Sequence, residues 1–321
     1  MDLEYLLFLQ NNVRTEWLTP IMMGISDFAI SFWLMSIMFI IYWCVSKKAG
    51  YLIMCSTMLG NAINGIVKLS CCIYRPWIRN PQIIPAGDSI KTATGYSFPS
   101  GHTQGATCLV GSSAFITWSK KRWFAILCWI FIAVVAFSRN YLGVHTPQDV
   151  VVGFILGVLS IISAVKIQEN VNKNDKKADL KLLTYSLLAS ITALLYFTYK
   201  NYPIDKDLAG NIIVDPEKMM NDSFKAVGMW IGFCISWFIE KYYIDFKVEG
   251  SVVKRILRGI LGIASLFIFS KFIIPALVSS FSPLWMAFSE WFLQVFFVIV
   301  IYPLIIKLLT KKQEKTVEGL E

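Results

Sequence analysis

Two histidines occur in 321 residues, and each sits in a short cluster of polar and cationic residues within an otherwise apolar chain. The first closes the run Phe98-Pro99-Ser100-Gly101-His102, and the second lies in Ser138-Arg139-Asn140-Tyr141-Leu142-Gly143-Val144-His145-Thr146-Pro147-Gln148-Asp149. Upstream, Lys68 and Arg75 stand seven residues apart. If that segment is helical, two turns separate them, both cations project from one face, and Pro76 ends the helix just beyond. Imidazole is suited to exchange protons or attack phosphorus near neutral pH, and Lys and Arg are the usual partners of phosphate oxygens. Together these residue types point to phosphoryl chemistry.

The local pattern says how each group is held. Thr146-Pro147-Gln148-Asp149 reads as a helix start, with Thr146 at the cap, Pro147 at the first helical position and Asp149 three residues past the cap. His145 then stands at a helix mouth. Asp149 can turn back and accept the proton of one imidazole nitrogen, leaving the other as an outward lone pair, which makes a nucleophile. The plainer reading is that Asp149 only caps the helix. Ser97-Phe98-Pro99-Ser100-Gly101-His102 opens another apolar helix after a polar loop. Free amides there attract an anion, Gly101 allows close approach, the Ser100 hydroxyl adds a donor, and His102 is placed to protonate a leaving alkoxide. For a lone histidine, packing in a bundle against a carbonyl would be the ordinary explanation, as snorkelling would be for any one of Lys68, Arg75 or Arg139. Three cations at one membrane level are costly and point to function.

The elements that carry these groups are membrane helices. The chain is 56% hydrophobic and 16% charged, with a mean hydropathy of +0.58 and apolar runs long enough to cross a bilayer. We expect an all-α polytopic membrane helix bundle of about nine transmembrane helices, near 28–46, 50–68, 99–118, 123–139, 148–166, 182–199, 223–240, 256–278 and 284–306. With the N-terminus outside, 19 of the 30 Lys and Arg gather in alternate turns, among them Lys47, Lys120, Lys176, Lys247, Lys307, Lys311, Lys312 and Lys315. That side is cytoplasmic by the positive-inside rule, so the polar clusters face the exterior of a bacterium or the lumen of an organelle. The formal net charge of +9 is then explained by cytoplasmic turns, and no nucleic-acid partner is implied.

The first 20 residues, with Asp2, Glu4, Arg14 and Glu16, do not read as a cleavable signal peptide but as a short interfacial helix. The seven cysteines have no metal or disulfide spacing and read as apolar side chains. We expect a core over 1–166, a cytoplasmic linker over 167–181, and a transmembrane extension of unknown role over 182–321. Acidic residues between 200 and 222 could bind a cation or shape access, although a solvated loop is the simpler reading. Gly153-x-x-x-Gly157 and Gly228-x-x-x-Gly232 permit close helix contact without naming a partner.

Taken in order, Lys68-x6-Arg75-Pro76, Pro99-Ser100-Gly101-His102 and Ser138-Arg139-x5-His145-x3-Asp149 resemble the three-part signature of the type 2 phosphatidic acid phosphatase superfamily, with no position departing from it. The segment from Trp17 to Trp43 is also, more weakly, similar to the start of the sphingosine-phosphate phosphatase branch. The resemblance covers 68–149 as motif and roughly 25–166 as fold. It implies a membrane phosphatase core that needs neither metal nor cofactor. In it His145 attacks phosphorus to give a phosphohistidine, Asp149 orients His145, and His102 protonates the leaving group. Lys68, Arg75, Ser100, Gly101 and Arg139 hold the phosphoryl oxygens. The implied substrate is a lipid phosphate in the bilayer: a polyprenyl diphosphate, a glycerophospholipid phosphate or a sphingoid phosphate. Phosphoryl transfer to an alcohol acceptor is an alternative, as is a catalytically silent lipid-binding or flipping protein, which should have lost a motif residue. The oligomeric state is not legible. A soluble relative that holds vanadate in this pocket is disfavoured by the apolar spans.

Overall fold

A computed structural model describes residues 2–207 and 209–309. The described chain is helical throughout its regular elements, apart from an isolated bridge between Lys206 and Ile212. A short helix α1, Asp2–Phe8, continues through a wider turn, Leu9–Val13. Then come α2 (Leu18–Val45), broken where Ser31 caps its second half, and α3 (Lys47–Cys71). The helix α4 opens at Gly101–Ala106 and runs on through Thr107–Gly111 and Ser112–Thr117. It is followed by α5 (Arg122–Tyr141), α6 (Pro147–Val171), α7 (Lys176–Tyr199) and α8 (Pro216–Ile239). The last two helices are α9 (Val252–Val278) and α10 (Pro283–Leu309).

Among the described residues seven helices are long and apolar enough to cross a membrane, against the nine expected. The two expected spans outside this set, 99–118 and 223–240, fall on α4 and α8. Both are helical, but α4 is short and carries His102, Thr103, Gln104 and Thr107, while α8 begins with Glu217, Lys218, Asp222 and Lys225. The polar groups of α4 are taken up inside the protein, where His102, Thr103, Gln104 and Thr107 are all buried. In α8 the charged residues of the first turns stay exposed or half-buried, while most residues between Met219 and Trp237 are buried.

A second expectation is corrected at the end of α3. The helix stops at Cys71, with Cys72 in the left-handed region at φ 48°, so Lys68 and Arg75 do not share a helical face. A residue before proline is disfavoured in helical conformation. Arg75 is accordingly extended, and Pro76 starts a short helix, Pro76–Arg79, instead of ending one.

Both glycine pairs find partners. A Cβ on Gly153 would come within 2.7 Å of the Ser100 carbonyl oxygen, so α6 lies directly against the start of α4. A Cβ on Gly228 would come within 2.3 Å of the Phe288 carbonyl oxygen, so α8 lies equally close to α10. The helix α8 also runs along α3 and α7, which ties the C-terminal helices to the motif-bearing ones. The core between them is aromatic and sulfur-rich, with Tyr42, Trp43, Met54, Met58, Trp230 and Phe233.

Because successive helices alternate in direction, their connections gather at two ends. At one end the segment that follows α1 meets the long connection 72–100 and the end of α5: Gln10 Nε2 donates to Gln82 O at 3.2 Å and Arg14 Nη2 to Tyr141 O at 2.9 Å. At the other end Lys47 Nζ lies 2.7 Å from the buried Glu240 carboxylate, and Lys241 Nζ lies 2.6 Å from Asp179. The cations expected on the cytoplasmic side belong to this second end, except that Lys311, Lys312 and Lys315 lie outside the described residues.

Candidate active site

The connection that follows α3 is folded onto the arginine inside it. Arg75 Nε donates to Gly95 O at 3.0 Å, Nη2 to Thr94 O at 3.0 Å and Nη1 to Val144 O at 2.9 Å. Its Nη1 is also 2.8 Å from His145 Nε2. One guanidinium, 3% exposed, therefore joins the 94–95 strand of chain to the loop that carries His145. Lys68 Nζ donates to Tyr96 O at 3.0 Å, which places this ammonium against the same loop from the last turn of α3.

At the start of α6 the expected capping box is present: Thr146 Oγ1 accepts from Asp149 N, and Asp149 Oδ2 accepts from Thr146 N at 2.8 Å. The same carboxylate oxygen lies 3.3 Å from His145 Nδ1 and accepts the Ser97 hydroxyl at 2.5 Å. Capping and contact with the imidazole are thus not alternatives. With Nδ1 against a carboxylate and Nε2 against an arginine donor, the imidazole carries its proton on Nδ1 and a lone pair on Nε2. Burial, with Arg75, Arg139 and Lys68 nearby, holds His145 well below the usual imidazole range. It is a neutral base set among cations. Two further bonds fix the loop: Asn140 Nδ2 donates to His145 O at 2.9 Å, and His145 N donates to Arg139 O at 3.3 Å.

The starts of α4 and α6 meet through their backbones, Ser100 N donating to Asp149 O at 2.9 Å. Ser100 caps α4, its hydroxyl accepting from Thr103 N and lying 3.0 Å from Thr103 Oγ1. His102 is 7% exposed, and its Nε2 has no hydrogen-bond partner among the described residues. Arg139, fully buried in α5, is anchored by Nη1 on the Ser26 hydroxyl of α2. Its Nε and Nη2 have no hydrogen-bond partner among the described residues either. Adjacent Nε–H and Nη–H groups form the fork that matches two oxygens of a phosphate. Buried donors left over in this way are what an anion would satisfy.

Lys68, Arg75, Gly101, His102 and His145 line one cavity of about 280 Å³. Asp149, Ser100 and Arg139 stand outside that lining, each joined to it through the bonds above or through its chain neighbours. Sequence reasoning assigned no role to Ser97 or Asn140. Both occupy ordinary polar positions beside the motifs, and only the fold brings Ser97 to Asp149 across 52 residues. Sequence reasoning also missed the opposite wall, formed by Met219, Asp222, Ser223 and Lys225 of α8. Three other acidic residues of 200–222 have local duties: Asp205 accepts from Tyr74 Oη, Asp207 accepts from Ala209 N and Asn211 N, and Asp215 caps α8.

Residues 49–173, which contain every one of these motif residues, match the family model described as the PAP2 superfamily. Residues 224–314 match a second model, described as the transmembrane extension of PAP2 superfamily phosphatases. The chain belongs to the PAP2 superfamily. It is an integral-membrane phosphatase of that superfamily. It is 28% identical to phosphatidylglycerophosphatase B of Bacillus subtilis, over 51% of this chain and 82% of that protein. It is 31% identical to an undecaprenyl-diphosphatase of Sulfolobus acidocaldarius, over 38% of this chain and 56% of that protein. The crystal structure of a transmembrane PAP2 type phosphatidylglycerolphosphate phosphatase from Bacillus subtilis superposes with a TM-score of 0.45 at 24% identity, covering 53% of this chain and 85% of that one.

Proposed function

We propose that this PAP2 phosphatase hydrolyses a lipid phosphate monoester or diphosphate without a metal, through a phosphohistidine, at the non-cytoplasmic face of the membrane. The observation that carries the reading is the clamp on His145, with Asp149 Oδ2 at 3.3 Å from Nδ1 and Arg75 Nη1 at 2.8 Å from Nε2. A phosphoryl group held by Arg75, Lys68 and the free fork of Arg139 presents its phosphorus to the Nε2 lone pair. The P–O bond to the lipid breaks as the N–P bond forms, and His102 gives a proton to the departing oxygen. Asp149 stabilises the cation that develops on the imidazole, and Ser97 and Thr146 hold Asp149 in place. Water then attacks phosphorus, His102 takes the proton, and phosphate leaves. The arginines and the lysine supply the charge stabilisation that metal ions supply in other phosphoryl transfers.

Residues 1–166 act as the catalytic core in this reading, and 182–321 as an extension. The relatives' names favour lipid headgroups bearing a phosphate or diphosphate as substrates. The side follows from the charge: the motifs lie at the end opposite the Lys-rich turns. The test is phosphate release by detergent-solubilised protein from a panel of polyprenyl diphosphate, phosphatidylglycerol phosphate, phosphatidic acid and sphingoid phosphate in EDTA. Turnover of at least one lipid is expected. No release from any of them, or release that appears only when magnesium is restored, contradicts the proposal.

A further inference from the structure

The cavity that holds the two histidines does not end at the motifs. From Lys68 it follows α3 past Gly65 and Asn64 to Asn61, seven residues or about 10 Å deeper along the helix. The facing wall is α8, from Asp222 past Ser223 and Ala226 to Met229, also seven residues, with Trp291 of α10 beside it. The lining changes along this path. Near the phosphate-binding cations it is charged, with Asp222 and Lys225 paired at 3.0 Å. One to two turns past Asp222 the α8 and α10 side is Ala226, Met229 and Trp291, facing Asn64 and Asn61 of α3.

Two close approaches build this wall. A Cβ on Gly65 would come within 3.0 Å of Ser223 Oγ, so α3 and α8 touch beside the cavity. The pair Gly228 and Gly232 seats α10 on α8 through the backbone of Phe288 and Phe292, and this brings Trp291, one residue before Phe292, to the cavity. The glycine spacing that named no partner in the sequence therefore serves the active-site cavity.

We propose that the C-terminal helices form the lipid-tail subsite of the active site: Ala226, Met229 and Trp291 receive the first methylenes of the substrate chain while its phosphate sits among Lys68, Arg75 and the histidines. This deepens, and rests on, the reading of the chain as a lipid phosphate phosphatase. The occupant is the substrate's own hydrocarbon, because the apolar wall is continuous with the phosphate site, and a chain ester-linked to that phosphate must leave along it. Extension residues then select among lipids, while core residues perform the chemistry.

The test uses the full-length protein and matched substrates that differ only in chain length: the long-chain lipid phosphate the wild type cleaves best, and its six-carbon counterpart. Ala226→Phe fills the path and should lower kcat/KM on the long-chain substrate roughly tenfold, leaving the short-chain value within about twofold. Trp291→Ala removes an apolar contact and should likewise reduce the long-to-short ratio, by roughly tenfold. Retained short-chain turnover shows that each variant is folded. Unchanged ratios in both variants, or equal losses on the two substrates, overturn the tail subsite. Failure of the wild type on every lipid phosphate overturns the phosphatase reading instead.

Discussion

Asp149 reaches His145 with the oxygen it also uses to cap its own helix: Oδ2 accepts the Thr146 N–H at 2.8 Å and lies 3.3 Å from His145 Nδ1. The geometry of the helix start thus fixes the direction of the imidazole. The carboxylate cannot drift without uncapping α6, and the Ser97 hydroxyl at 2.5 Å holds it from the other side. His145 presents Nε2 toward Arg75 for the same reason.

If His102 is the general acid, its removal should depend on the leaving group. His102→Ala is expected to slow cleavage of a lipid phosphate by about 10²–10⁴-fold, the usual worth of such a proton. A nitrophenyl phosphate, whose leaving group needs no proton, should lose far less. Comparing kcat on the two substrates checks this, and equal losses would assign His102 another role.

The acid limb of the rate should lie below the ordinary imidazole value of about 6.5. His145 must be neutral to attack, and burial together with Arg75, Arg139 and Lys68 lowers its proton affinity, so the neutral form persists as the pH falls. The unfolded chain takes up that proton at higher pH than the folded one, so this group also costs stability as pH falls through about 6.5. Arg75→Gln removes the nearest cation, and the limb of the remaining turnover should move upward. A kcat profile whose limb stays in place contradicts the assignment of that limb to His145.

The topology predicts a labelling pattern. Asp88 and Lys176 are both exposed and lie at opposite ends of the bundle. In a variant lacking the native cysteines, Asp88→Cys should react with an impermeant maleimide in intact cells or sealed right-side-out vesicles, and Lys176→Cys should not. Reversed labelling would place the active site on the cytosolic face. Labelling of both only after permeabilisation would place the protein in an internal membrane with the site in the lumen.

The motifs were legible because chemistry restricts their residue types, and their helix starts were legible because caps are local: Thr146 and Pro147 begin α6 as the sequence demands. What lay beyond reach was anything set by packing between distant segments. Arg75 meets His145, and Lys68 the loop at Tyr96, through a turn at Cys72 rather than along one helix, and nothing in their seven-residue spacing distinguishes the two routes. Ser97 gains its role only because the fold lays the start of α6 beside it. A reading of apolar runs averages away the polarity of α4, whose His102, Thr103, Gln104 and Thr107 are buried in the protein, and the charged first turns of α8. Lys225 and Trp291 carry no motif, and only helix contact brings them to the cavity.

The central claim is a covalent bond between His145 and phosphorus. Rapid quenching of wild-type protein with a phosphorus-labelled lipid phosphate should trap label on the chain that is lost in acid and kept in base, as a phosphoramidate requires, and His145→Ala should trap none. Label that survives acid, or equal labelling of His145→Ala, would contradict the account.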